Sequence, residues 1–102
     1  MNVTSRILCV EPDPLVLETR CSVLKLSGYD TSAASIPLAE GLLARQTFDL
    51  IVVSSRLRDA DKRRIFDAAR GARIMMLVGS ITPSELLSTV SERLQLANCH
   101  SA

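Results

Sequence analysis

The chain is poor in aromatic residues, histidine and cysteine, and each shortage excludes a class of site. Phe, Tyr and Trp together make up 3% of the 102 residues, so the core must be aliphatic and no aromatic platform for stacking bases is expected. The single histidine, His100, lies in the C-terminal tail, which leaves no Ser-His-Asp or Cys-His catalytic set. Cys9, Cys21 and Cys99 are odd in number and widely spaced, so neither a disulfide framework nor a zinc site is expected.

Glycine-rich phosphate loops and long apolar runs are missing as well. The sequence has no GxGxxG and no GKS/T motif, which argues against the common nucleotide-binding loops. No stretch is long and apolar enough to predict a membrane span, and the first ten residues do not resemble a signal peptide. With unpaired cysteines, these features predict a cytoplasmic protein that does not bind a membrane.

Net charge is only +1, but basic residues are concentrated in one stretch. Residues 56–73 carry seven basic and three acidic side chains. Such a stretch is either a patch for an acidic partner or the solvated face of a helix, and the second interpretation is favoured. Asp59 and Arg63, four residues apart, are predicted to form an ion pair on that helix.

The remaining sequence alternates between short apolar runs and amphipathic segments. The predicted strands are residues 6–10, 29–34, 50–53 and 74–78, and the predicted helices are residues 14–27, 37–45, 59–70 and 83–94. This alternation predicts an α/β fold, a three-layer α/β/α sandwich with a parallel sheet and strand order 2-1-3 followed by one more. Residues 1–102 are expected to form one domain, with about the last six residues a frayed tail.

Helix signals and inward-facing positions follow from the same pattern. Pro14 suits a helix start and Gly28 a helix end, and Thr82-Pro83-Ser84-Glu85 predicts a capping box. The positions expected to face the core are Leu17, Cys21 and Leu24 in the first helix, Leu38, Leu42 and Leu43 in the second, Ile65, Phe66 and Ala69 in the third, and Leu87, Val90 and Leu94 in the fourth.

Three segments resemble response-regulator receiver (CheY-like) domains, which have a flavodoxin-like fold. They are residues 6–20 (RILCVEPDPLVLETR), residues 48–57 (FDLIVVSSRL) and residues 77–87 (LVGSITPSELL). The resemblance covers nearly the whole chain and implies the receiver fold. It also implies a place in two-component (phosphorelay) signalling, in which a histidine kinase transfers a phosphoryl group to an aspartate.

That chemistry requires two acidic residues after the first strand and an acceptor aspartate after the third, which together hold Mg²⁺. In this chain Glu11 falls on the first acidic position, Pro12 on the second and Ser54 on the acceptor position. Asp13 follows, but the helix start should aim it elsewhere, and both acids also suit a helix N-terminus. The resemblance therefore implies a degenerate site in which Mg²⁺ is not expected and Glu11 is at most a weak metal ligand.

The last strand leaves two alignments with the family open. If residues 74–78 are the family's fourth strand, Val78 replaces the threonine or serine that senses the phosphoryl group. If they are the fifth, Gly79 replaces the conserved lysine of the site, and no lysine follows Lys62 in any case. Either way the domain is expected to lack one strand–helix unit.

Three functions remain as hypotheses. The first is a pseudo-receiver, not an enzyme and without a cofactor, that binds a protein partner such as a histidine kinase or an output protein. The second is a receiver with an unusual acceptor, Ser54, Asp59 or Asp61. The third is an anion- or nucleotide-binding flavodoxin-like domain, since a helix N-terminus attracts anions. No nucleic-acid-binding pattern is present.

The missing unit also predicts an assembly. Residues 74–78 would form an apolar edge strand, with Met75, Met76 and Leu77 exposed, and a homodimer would cover it. The competing expectation is a monomer in which the last helix covers the gap.

Overall fold

The computed structural model describes residues 5–78 and 81–99 and contains four strands and four helices in strict alternation. The elements are β1 (Arg6–Val10), α1 (Pro14–Leu26), β2 (Asp30–Ala34), α2 (Ile36–Arg45), β3 (Leu50–Ser54), α3 (Asp59–Ala69), β4 (Ile74–Leu77) and α4 (Pro83–Cys99). The predicted bounds agree to within a residue or two, except that α4 continues past its predicted end.

The four strands form one parallel sheet in the order β2-β1-β3-β4. β1 and β3 are the inner strands, and every residue of β3 is buried. The reason is visible in the sequence, because an uninterrupted run of branched apolar residues suits a strand that is covered on both faces. The predicted parallel order 2-1-3 followed by one more strand is therefore confirmed.

Two apolar clusters lie on opposite faces of this sheet, which makes the molecule the predicted three-layer sandwich. Ile7, Cys9, Val52, Met75 and Leu77 point to the face covered by α1 and α4. The alternate strand positions, among them Leu8, Val10, Ile51 and Val53, point to the face covered by α2 and α3. Two-residue periodicity along each strand produces this division.

The predicted helix signals operate as expected. The Asp13 carboxylate caps α1 by accepting from the backbone N–H of Leu15 at 3.0 Å, and Gly28 follows the helix with a φ of 96° that favours glycine. In the capping box of α4, the Glu85 N–H donates to Thr82 Oγ1 at 3.2 Å, and the Thr82 hydroxyl donates to Glu85 Oε1 at 2.8 Å.

Three predictions about side chains were wrong. Leu38 and Phe66 were expected in the core, but they are 54% and 43% exposed because they lie on the flanks of α2 and α3 and not on the faces turned to the sheet. The expected Asp59–Arg63 pair is replaced by one between Asp59 and Lys62, whose charged atoms are 3.9 Å apart.

The exposure predicted for β4 was also wrong in part. β4 is the predicted edge strand, but Met75 and Leu77 are buried because α4 packs over them through Leu86 and Val90. Met76 points to the other face and is half-buried. None of the described helices is both long and apolar enough to cross a membrane.

Candidate functional site

The residues singled out from the sequence gather at the carboxyl ends of the strands. Glu11 directly follows β1, Ser54 ends β3, and Val78 follows β4. Because α1 lies on one face of the sheet and α2 on the other, the strand order reverses between β1 and β3. Ligands of open α/β sheets bind at such a switch point. The fold therefore brings Glu11 and Ser54 to the position where such a domain carries its chemistry.

Glu11 is a buried carboxylate with both oxygens engaged. Its side chain is 1% exposed, and Oε2 accepts from the Arg20 Nη1 at 2.8 Å in an ion pair. Oε1 accepts from the backbone N–H of Asp13 at 3.2 Å. The negative charge is thus neutralised and hydrogen-bonded within the protein, as a buried charge requires.

Arg20 is the site residue that the sequence analysis missed. It lies on α1, its side chain is only 11% exposed, and it points back to the carboxyl end of β1. An arginine in the middle of an amphipathic helix ordinarily reads as solvated surface. The available signal was its position one residue before Cys21, which placed it on the flank of the buried face of α1.

Asp13 and Pro12 do not complete an acidic pocket. Asp13 caps α1, as its position at the helix start predicted, and Pro12 supplies neither a carboxylate nor a backbone N–H. The family's pair of acidic residues is therefore reduced to Glu11, and this carboxylate already has its partners.

Ser54 is buried at the end of β3, with 2% of the residue exposed. Its Oγ accepts from the backbone N–H of Arg56 at 3.1 Å, which is a local turn contact of the kind that serine commonly makes. The Ser54 carbonyl accepts from Leu57 N–H at 3.3 Å in the same turn. The hydroxyl is thus used to shape the β3–α3 turn.

The end of β4 carries no polar side chain at the place expected for phosphoryl sensing. β4 pairs directly with β3, which is the position of the fourth strand in the flavodoxin-like order 2-1-3-4-5. By that position Val78, which is 80% exposed, stands where the sensing hydroxyl was expected. Gly79 lies outside the described residues.

A divalent cation does not fit this set of donors. Mg²⁺ takes an octahedral shell of oxygens and is usually held through one or two carboxylates together with waters and phosphate oxygens. Here Glu11 is paired with Arg20, Asp13 is a helix cap, and the Ser54 hydroxyl belongs to a turn. Among the described residues, no three His, Cys, Asp or Glu side chains come together as metal ligands.

The two other acceptor candidates lie on α3 and not at the end of a strand. Asp59 is fully exposed and pairs with Lys62, while Asp61 pairs with Arg64 at 3.8 Å. Both carboxylates lie in the first turn of α3, where the helix dipole favours them.

A pair of thiols lies beneath the site. Cys9 of β1 and Cys21 of α1 are both buried and unoxidised. The neighbouring Cys21 thiol, followed by burial, raises the pKa of Cys9 far above its ordinary value. The neighbouring Cys9 thiol lowers the pKa of Cys21 to about 7. The two shifts are opposite in direction, so Cys21 is the more readily ionised thiol of the pair.

Two grooves in the described part of the chain offer little to the nucleotide hypothesis. One of about 290 Å³ lies at the amino ends of the strands, between Asp49, Arg73 and Leu94. Another of about 390 Å³ lies between the end of α2 and the end of α3, lined by Leu43, Phe48 and Ala72 among others. Both lie toward the amino ends of the strands, whereas Glu11 and Ser54 lie at the carboxyl ends.

Comparison with known proteins identifies the fold. No family model matches the sequence, and neither does any curated protein. Among solved structures, the chain is similar to a CheY-like receiver domain from Methanospirillum hungatei JF-1, with a TM-score of 0.74 and 18% identity over 96% of this chain and 99% of that one. It is also similar to a receiver protein from Sinorhizobium medicae WSM419, with a TM-score of 0.72 and 18% identity over 90% and 95% of the two chains.

A third similar chain comes from the crystal structure of the histidine kinase ThkA in complex with the response regulator protein TrrA, with a TM-score of 0.72. The two chains are 19% identical, and the match covers 89% of this chain and 99% of that one. These likenesses extend over nearly the whole of each domain. The chain therefore has the CheY-like fold of response-regulator receiver domains.

Proposed function

We propose that this chain is a pseudo-receiver, a module of two-component signalling that binds a protein partner and is not itself phosphorylated. The observation that carries the proposal is the state of Glu11, whose carboxylate is neutralised by Arg20 and so is not free to hold a metal ion. The receiver fold supplies the class of function, and the altered strand ends argue against the phosphoryl-transfer step.

The chemistry of the acceptor position supports the same conclusion. Phosphoryl transfer to a receiver depends on positioning and on cations that neutralise the transferring group. Ser54 has a buried hydroxyl in place of the aspartate, and a serine ester is not the acyl phosphate that such domains form. A module of this kind acts by binding and needs no cofactor.

A phosphorylation assay tests this proposal. The protein is incubated with acetyl phosphate and Mg²⁺ and then measured by intact mass spectrometry, beside a receiver that has an acceptor aspartate as positive control. We expect an unchanged mass, and beryllofluoride with Mg²⁺ should leave the unfolding temperature unchanged. Stoichiometric phosphorylation at Ser54, Asp59 or Asp61 would overturn the proposal and support an atypical acceptor.

The rim of the strand ends offers contacts for a protein partner. Leu15 and Val78 are 73% and 80% exposed, and both lie at the carboxyl side of the sheet. The similar TrrA structure contains a histidine kinase, and we propose that this chain binds a kinase or an output protein in the cytoplasm, where Cys9 and Cys21 remain reduced.

Leu15→Glu and Val78→Glu should weaken binding to such a partner. Leu26→Glu is the matched control, because Leu26 is at least as exposed but lies at the far end of α1. Equal loss with all three variants would contradict this surface.

The free edge of β4 supports a second part of the proposal, a homodimer. Arg73 and Leu77 direct their carbonyls to β3, accepting from Ile51 and Ser55 at 2.8 and 2.9 Å. By alternation, the backbone groups of Ile74 and Met76 face outward, and no described strand pairs with them. Their side chains are apolar and half-buried, so the edge combines unpaired backbone with apolar surface.

The opposite edge of the sheet is built differently. β2 reads Asp-Thr-Ser-Ala-Ala, and its first residue, Asp30, is paired with Arg6. Polar and charged residues of this kind discourage pairing between edges, whereas β4 has none. We therefore propose that β4 pairs with β4 of a second copy. Light scattering at micromolar concentration should give the mass of a dimer, and a monomer mass at that concentration would overturn this part.

A further inference from the structure

We propose that Arg20 is a built-in counter-cation of the site, which gives Glu11 the positive charge that Mg²⁺ provides in a phosphorylated receiver and thereby excludes the metal. The inference deepens the proposed function and rests on it, but it concerns a separate property, the reason why the pocket does not bind a cation. It assigns a role to a residue that the family resemblance did not single out.

The contact is built into the structure and is not a surface encounter. The two side chains are 11% and 1% exposed, and Arg20 Nη1 lies 2.8 Å from Glu11 Oε2. A charged hydrogen bond of this length in a water-poor environment is stronger than one at the surface. A cation that approached Glu11 would have to compete with this guanidinium on one oxygen and with the Asp13 N–H on the other.

The position of Arg20 is fixed by its helix. α1 begins at Pro14 with the Asp13 cap, and its inner face is anchored by Cys21 and Leu24, which are both buried. Since Arg20 directly precedes Cys21, its backbone cannot move without disturbing that face. Arginine also keeps its charge at every pH at which proteins fold, so the counter-charge is permanent, unlike a dissociable ion.

Two separate features therefore oppose metal binding at this place. One is the loss of carboxylates at Pro12 and Ser54, and the other is the resident guanidinium. If only the first mattered, restoring the carboxylates would restore Mg²⁺ affinity. If the inference is right, restoring them is not enough while Arg20 remains.

The test compares Mg²⁺ binding by calorimetry in three variants of the full chain. They are P12D/S54D, the same pair with R20M added, and the same pair with K25M added as a matched control. Lys25 is exposed on the same helix, so K25M removes one positive charge without touching Glu11. We expect R20M to raise Mg²⁺ affinity at least tenfold over P12D/S54D, while K25M leaves it within about twofold.

Circular dichroism keeps the result interpretable if removal of Arg20 unfolds the protein. Folding of the R20M variant induced by Mg²⁺, at concentrations that do not affect P12D/S54D, would support the inference equally. Equal affinities with and without Arg20, an equal gain with K25M, or no response to Mg²⁺ in any variant would overturn it. The absence of phosphorylation is tested separately, because it fails only if the unaltered protein is phosphorylated.

Discussion

The side chain that most affects the candidate site is one whose role the sequence pattern does not predict. Arg20 looks like an ordinary surface arginine of an amphipathic helix, yet it forms a nearly buried pair with Glu11. The identity of Glu11 as a site residue was predictable from its place after β1. Its partner was not predicted, because the position of Arg20 beside Cys21 marks only the flank of the buried face and does not show which way the side chain turns.

A double-mutant cycle tests the energetics of this pair. Arg20→Met should lower the free energy of unfolding by roughly 3–5 kcal/mol, because it leaves the Glu11 carboxylate buried without a counter-charge. Adding Glu11→Leu should recover much of this loss, because a buried ion pair is often replaceable by apolar side chains. Urea unfolding measures each step. Strictly additive losses in the double variant would contradict the coupling.

The two thiols make a second prediction at this scale. With Cys99→Ser as background, iodoacetamide should modify Cys21 before Cys9, because the thiolate is the reactive form and the pKa of Cys21 is lowered to about 7 while that of Cys9 is raised. The rate at Cys21 should rise with pH through about 7 and level off above 8. Peptide mapping by mass spectrometry follows both sites.

The variant Cys9→Ala serves as the control for this assignment. It removes the neighbouring thiol that favours the Cys21 thiolate, so the pH midpoint of Cys21 modification should move upward. Faster modification of Cys9 than of Cys21 in the unaltered protein would show that the acidic thiol has been assigned to the wrong residue.

At the scale of elements, the sequence was a good guide because each signal is local. Apolar runs predicted β1, β3 and β4, a weaker signal predicted β2, and prolines, glycines and capping residues predicted most helix ends. The errors concern which flank of a helix is covered. Leu38 and Phe66 had helical spacing with core residues, but the width of the buried stripe depends on neighbouring helices, and that is tertiary information.

The capping box of α4 gives a prediction that belongs to this scale. Thr82→Ala should reduce stability by about 1 kcal/mol, because it removes the acceptor for Glu85 N–H and leaves a helix N-terminus without its cap. Ser84→Ala, an exposed position of the same turn, should change stability by less than about 0.5 kcal/mol. Thermal unfolding compares the two, and equal effects would mean that the box does not stabilise the helix.

At the scale of the molecule, the main feature is a sheet with one strand–helix unit fewer than the resemblance to receivers implies. The resemblance predicted one missing strand–helix unit, and the structure has four parallel strands in its described residues. The competing expectation, that the last helix covers the gap, is met on one face, where α4 packs beside α1 and covers Met75 and Leu77. On the other face Met76 packs beside the cluster under α3 but stays half-buried, so the consequence of the missing unit is confined to one side and one edge.

This asymmetry leads to a prediction about the stability of the assembly. If β4 edges pair in a dimer, folding is linked to association, and the unfolding temperature should rise with protein concentration. Met76→Lys places a charge on that edge and should abolish the concentration dependence, while the unfolding temperature at the lowest concentration stays close to that of the unaltered protein.

Ser32→Lys, on β2 at the opposite edge of the sheet, is the matched control and should preserve the concentration dependence. Calorimetry over a hundredfold range of concentration decides between the two expectations. A concentration-independent transition in the unaltered protein would mean that the four-stranded sheet ends at β4 and that the free edge has another use.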